Sequence, residues 1–392
     1  MYLSTNIGET IVKVLGDWGF WGAILSTLAV IFLGYILTKK NILNKEWDKV
    51  FVKVVMLIGL PALALDGFLI DIKVQDLINQ LGVLIIGFLF YSIMLFTSRY
   101  FFLKTNKDIQ DTLAMCVALA STTFFGLPIV GAIFDKAGTL SGNLFNVPYR
   151  IFLYSLALMI MSRKNLAVTL TREQKKELKL ELAKLPVEEK KINKKERNIQ
   201  IKKSLKTIFI NPILIATFVG LFIWVTQLIP GIDLLKKGEV NYSILRIDIL
   251  FPPISKTLKL VAGICTPLAY LAIGMSLASS DIKAAAKSKL VWYSTFIKVI
   301  VSPLIILLMA VGYAAIGKAI TGNSVLTEAN LGALVVMTAA PPASVVISYA
   351  ISYDKEKILA SNLSVLATLM SVIMMPFWII IVKVIAATNL FS

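Results

Sequence analysis

The segment from Ala118 to Ile129, ALASTTFFGLPI, constrains this chain more than any other, because it interrupts an apolar stretch of membrane-spanning length near its middle. In hydrocarbon every backbone polar group has to be satisfied internally, so an unwound turn at membrane depth is tolerated only where protein buries it or a wet cavity adjoins it. A second interruption, TAAPPASVV from Thr338 to Val346, lies in the other half of the chain. Two broken helices in corresponding halves are a sequence pointer to a transporter's binding site.

Composition sets the environment. With 57 % hydrophobic and 16 % charged residues, the 392-residue chain lies outside the globular range and reads as an all-α membrane protein. About ten continuous apolar segments of roughly 20 residues are present, each long enough to cross a hydrocarbon core about 30 Å thick, and their continuity excludes a β-barrel. The net charge of +17 would suit a nucleic-acid partner in a soluble protein. Here roughly two thirds of the Lys and Arg fall in connections on one side of the membrane, the positive-inside pattern, so nucleic acid is set aside and the lipid bilayer is the partner. The chain has no histidine, which removes His-ligated metal and His-based acid–base chemistry, and no cofactor motif. Cys116 and Cys265 fall inside spans and read as small apolar filler. Without intramembrane carboxylate clusters, an enzyme has little to work with.

Residues 1–18 lack a basic start and a small-residue cleavage site and read as no cleaved signal. Span 1 (19–37) is followed by TKKNILNKEWDK, whose four lysines place it in the cytoplasm and the N-terminus outside. Span 2 (50–70) carries Pro61 and, toward its outer end, Asp66, the one acidic residue well inside a span and a candidate for proton coupling or a solvated carboxylate. Span 3 (81–103) ends in a basic edge. Span 4 (111–134) is the first broken helix, with Ser121, Thr122 and Thr123 before the break and Gly126 and Pro128 at it. Span 5 (144–161) contains Asn146 and Arg150; an arginine inside a span faces the protein interior by default and marks a functional site, or else neutralises a carboxylate or satisfies the open carbonyls of a broken helix.

Residues 163–206 form a central connection with about nine more positive than negative charges, read as a solvated cytoplasmic linker or a lipid-surface helix. Span 6 starts near 208, span 7 covers 257–279, and span 8 (290–315) holds Lys298 and Pro303. Lys298 either adds positive charge to the bundle or reaches the inner surface along its stem. Span 9 (329–351) is broken at Pro341 and Pro342, and span 10 covers 362–386, leaving both termini outside.

Aligning Pro61 with Pro267 brings Lys53 onto Lys259, Ala64 near Ala269 and Gly67 close to Gly274. Residues 1–162 and 207–392 therefore read as two five-helix copies. Five is odd and the linker is cytoplasmic, so the copies enter in opposite senses: a 5+5 inverted repeat whose broken helices 4 and 9 cross at mid-depth. Second half-helices starting there present positive dipole ends, and Arg150 adds a full charge. The economical ligand is an anion, hydrogen-bonded by Ser121, Thr122, Thr123, Asn146 and Ser344 at the turns made by Gly126, Pro128, Pro341 and Pro342. Taken singly, each Ser or Thr reads sooner as bonded to its own i−4 carbonyl or as joining one helix to another. Other readings of the chain are an H+- or Na+-coupled symporter of another anionic or zwitterionic solute and a non-transporting membrane sensor or structural protein.

The motifs GYILTKKNILNKE and VVMLIGLPALAL (34–65), FFGLPIV (124–130), NPILIATFVGLF (211–222), TPLAYLAIGMSLA (266–278) and AAPPASVVISYA (339–350) together resemble the auxin efflux carrier family, which includes plant auxin exporters and bacterial malate or malonate permeases. The resemblance implies a scaffold of spans 1, 2, 6 and 7, a transport domain of spans 3–5 and 8–10 that moves like an elevator, an organic anion such as malate beside the crossing, a homodimer joined through the scaffold, and a place in the plasma membrane. Where family members commonly carry Asn five residues before the glycine of the GLP-like turn, this chain has Ser121. After the second break, where Asn or Gln is frequent, it has Ser344 and Ser348.

Overall fold

The computed structural model describes residues 12, 16, 18–72, 74–162, 212–229, 231, 235–237 and 240–391. The central connection 163–206, the start of span 6 and most of the segment before span 1 lie outside the described residues. The helices are α1 (Trp18–Lys39), α2 (Trp47–Phe68), α3 (Val74–Phe102) and α4 (Lys107–Ala118), then a continuous Thr122–Met161 stretch. After the central connection come α7 (Pro212–Thr226), a short hairpin of β1 (Leu235–Lys237) and β2 (Val240–Tyr242), α8 (Ile247–Leu250) and α9 (Pro252–Ser279). The chain closes with α10 (Ile282–Ala286), α11 (Lys289–Thr321), α12 (Glu328–Thr338), α13 (Ser344–Ser352) and α14 (Lys357–Ala386). Six helices among the described residues are long and apolar enough to cross a membrane, and α7 and α12 are shorter apolar helices.

The Thr122–Met161 stretch is two helices. Phe134 and Asp135 leave helical geometry, Asp135 at φ 51°, so α5 (122–134) ends there and α6 (135–161) begins. The helical part of span 5 thus starts well before residue 144, where hydropathy places it. The added turns are rich in small and polar residues that hydropathy scores as loop, yet they are bonded internally. Ser141 accepts from Gln80 at 3.2 Å and from Asn330 at 2.9 Å, and Asn143 donates to the Ala64 carbonyl at 3.1 Å.

Three prolines shape the helices in one way. A proline ring clashes with the carbonyl four residues earlier and supplies no N–H, so the preceding turn has to widen or break. Pro61, Pro128 and Pro303 each follow a π turn, Val55–Gly59, Thr122–Gly126 and Ile297–Val301. The π turn contains the carbonyl that the ring would otherwise strike. The carbonyl of Val299, four residues before Pro303, accepts the indole N–H of the buried Trp378 at 2.8 Å.

Helices α1 and α9 touch backbone to backbone through two reciprocal glycines. A Cβ on Gly34 would lie 2.4 Å from the Leu271 carbonyl oxygen, and one on Gly274 would lie 1.9 Å from that of Ile31. Small residues at such crossings let packing operate where lipid offers no hydrophobic drive. Helix α9 also packs on α2, and α2 on α7, while α12 sits against α6, α11 and α14.

Ion pairs hold the ends. Lys355, 4 % exposed, bonds Asp111 at 3.1 Å and the Ile160 carbonyl at 3.0 Å, tying the α13–α14 connection to the start of α4 and the end of α6. Asp66, read from sequence as a solvated or proton-coupling carboxylate, pairs with Lys136 at 3.2 Å. Beyond the spans, Arg246 forks onto Asp248 at 2.9 Å and reaches Asp71 at 2.6 Å. Burial raises the Asp248 pKa, but the guanidinium outweighs it and holds the carboxyl below its usual range. That contact therefore stabilises at neutral pH and is lost as the pH falls through the depressed value.

Two outcomes follow from this packing. Gly274→Ala forces α1 and α9 apart and lowers stability by about 1–3 kcal/mol, read as a drop in the melting midpoint of detergent-purified protein. Trp378→Phe leaves the Val299 carbonyl without its donor and costs about 1–3 kcal/mol in the same assay, whereas an unchanged midpoint would show that the indole bond is dispensable.

Candidate anion site at the two helix breaks

A helix end leaves N–H or C=O groups without intrahelical partners. The two breaks meet this demand together. Helix α4 stops at Ala118 and the chain runs extended through Leu119 to Ser121, while α12 stops at Thr338 and the chain runs through the proline pair to Ala343. The segments pair antiparallel at Ala120 and Pro342. Ser121 N–H donates to the Pro341 carbonyl at 2.7 Å, and Ala343 N–H donates to the Leu119 carbonyl at 2.9 Å. The prolines have no N–H to satisfy, so they cost the crossing no donor. Ser371 donates to the Ala339 carbonyl at 2.9 Å.

Beyond the pairing, α5 and α13 start, each with first-turn N–H groups that no helical carbonyl can reach. Arg150, on α6, comes to this place buried, 3 % exposed. Its Nη2 donates to Thr123 Oγ1 at 3.4 Å, and its Nη1 has no hydrogen-bond partner among the described residues. No carboxylate forms an ion pair with it among the described residues. Asn146 lies four residues earlier, hence on the same helical face. Its Oδ1 accepts from Thr122 at 2.6 Å and Thr123 at 3.3 Å, leaving Nδ2 buried without an acceptor among the described residues. Thr123 thus donates to Asn146 and accepts from Arg150, which fixes the hydroxyl and steers the guanidinium.

A cavity of about 540 Å³ opens beside these groups. Of the residues singled out by sequence, Ser121, Thr123, Arg150, Pro341, Pro342 and Ser344 line it. Thr122 and Asn146 stand behind that lining, bonded to each other. Gly126 and Pro128 do not reach the cavity. Gly126 instead allows close packing, since a Cβ there would come 2.9 Å from Met337 Cα on α12. Pro128 is buried and follows the π turn that starts α5.

Sequence reasoning missed Tyr149, Tyr154, Ser364 and Thr368, which also line the cavity. Tyr154 carried a signal, being four residues from Arg150. The cavity extends to the first turns of α2, where Lys49 and Lys53 are exposed. Much of its remaining wall is apolar, including Met56, Phe124, Leu153 and Val345.

Lys298 occupies the opposite side of the breaks. It is fully buried, so it does not reach the inner surface. It donates to the Val117 carbonyl at 3.2 Å and the Thr338 carbonyl at 3.3 Å, at the C-terminal ends of α4 and α12. Of the two cations buried at the breaks, Arg150 is therefore the one that borders the cavity.

Comparison with known proteins yields one match and one negative result. No curated protein matches the chain. A family profile described as membrane transport protein matches residues 20–379, nearly the whole chain. The chain therefore belongs to the membrane transport protein family, that of the auxin efflux carriers, and is a membrane transporter.

Proposed function

We propose that this transporter is a secondary carrier of small organic anions, with carboxylates such as malate as substrates. The observation that supports the reading best is Arg150: a buried guanidinium with one nitrogen unpartnered, no carboxylate counterion among the described residues, and a cavity at its side. An uncompensated buried cation is costly, and the helix N-termini beside it add positive potential. A carboxylate placed there accepts from Arg150 and the first-turn N–H groups, with Ser121, Ser344 and Thr123 as hydroxyl partners. Asn146 and Thr122 position Thr123 and the guanidinium. The apolar wall favours an anion that carries some hydrocarbon over a fully hydrated inorganic ion.

In the same proposal the ten spans form two inverted five-helix repeats. Helices α1, α2, α7 and α9 serve as the scaffold, through which two copies associate as a homodimer in the plasma membrane. The remaining spans carry the site as a moving unit in alternating access. The exposed Lys49 and Lys53 at the cavity's end, on the basic side of the membrane in this reading, support a cytoplasm-facing conformation with both termini outside. The Lys136–Asp66 pair joins α6 to α2 and would part when the site moves.

Uptake of labelled malate and a short panel of other carboxylates and amino acids into proteoliposomes tests the reading, with Arg150→Ala alongside. Saturable carboxylate uptake is expected in the wild type. Losing a charge-assisted bond of about 1.5–3 kcal/mol weakens binding roughly 10- to 150-fold in the variant, which stays folded and monodisperse. Uptake confined to uncharged solutes, or unchanged affinity in the variant, contradicts it. Asn146→Asp gives a second check, because it sets a carboxylate of the same size beside the guanidinium. It is expected to abolish anion binding while keeping the melting midpoint within a few degrees.

A further inference from the structure

Several of the carbonyls around the two breaks have identified donors. Those of Met115 and Val335 accept from Leu119 and Ala339 N–H, those of Leu119 and Pro341 accept across the crossing, and that of Ala339 accepts from Ser371. The Val117 and Thr338 carbonyls accept from Lys298, and Ser302, four residues further along α11, lies 3.5 Å from the Val117 oxygen. Lys298 is 0 % exposed and forms no ion pair with any described carboxylate. The π turn Ile297–Val301 contains Lys298. Two half-helix C-termini thus aim their negative dipole ends, and two carbonyl oxygens with a hydroxyl nearby, at one point inside the protein.

We propose that this convergence is a monovalent-cation site that the chain fills permanently with the Lys298 ammonium. Oxygen ligands from half-helix ends and unwound backbone are what a Na+ site in a carrier of this construction requires. Here a covalently attached cation takes that place, so no soluble cation binds there. Where the chain works as the anion carrier proposed above, which this consequence presupposes, its transport takes no driving force from Na+ at the breaks. The charge travels with the site because it is part of it.

The test is melting of the purified full chain in choline, sodium or methylammonium chloride at equal ionic strength. Lys298→Ala vacates both the charge and the space. It is expected to melt roughly 5 °C or more below wild type in choline and to regain most of that loss, saturably, with sodium or methylammonium. The wild type shifts little between the three salts. Lys298→Met refills the space with apolar atoms and is expected to stay low in all of them. Folding of Lys298→Ala only when sodium or methylammonium is present supports the site equally. Failure to fold in any of the three salts, an Ala variant indifferent to the salt, or shifts as large in the wild type or Met protein, overturns it. A wild type that takes up no carboxylate would defeat the transport reading and leave this result standing.

Discussion

Two peptide segments stripped of helical hydrogen bonds inside an apolar bundle need partners, and here they find each other. The Ser121–Pro341 and Ala343–Leu119 bonds are the contacts on which the arrangement of the site depends. They let α4 and α12 end, and α5 and α13 begin, inside the protein without leaving those peptide groups bare. Each unsatisfied group would cost several kcal/mol in hydrocarbon, which outweighs any single side-chain contact nearby.

From that pairing the charges sort themselves. The carbonyl ends of α4 and α12 receive Lys298, an arrangement in which dipole and cation agree. The N–H ends of α5 and α13 and the Arg150 guanidinium border one cavity, where dipole and cation carry the same sign. The second side therefore has a surplus of positive potential beside an accessible cavity, while the first is closed and fully buried. Thr122, Thr123 and Asn146 keep the guanidinium pointed at that cavity, which gives the surplus a direction as well as a sign.

Much of this was legible because it rests on residues with narrow conformational or energetic range. Gly126, Pro128, Pro341 and Pro342 marked the breaks, and Arg150 stood out because arginine is expensive in a span. What could not be read is how distant polar groups cancel one another. The first turns of α6 look like a loop until Gln80, Ala64 and Asn330 are seen to bond them. Lys298 is near enough to a span end to suggest snorkelling, and only the positions of Val117 and Thr338 reveal otherwise. The sequence reads Gly126 as a binding-site turn, and in the structure it makes room for Met337, a role set by packing across the two halves of the chain.

The claim that the site answers to negative charge is tested most directly by titrating the wild-type protein with an isosteric pair, a small carboxylate such as malate and its neutral amide. The shapes match, so the difference isolates the charge. The account predicts that the carboxylate binds at least about tenfold more tightly, as expected for a charge-assisted contact with a desolvated guanidinium. Equal affinities for acid and amide would mean that Arg150 supports the fold and does not recognise the cargo.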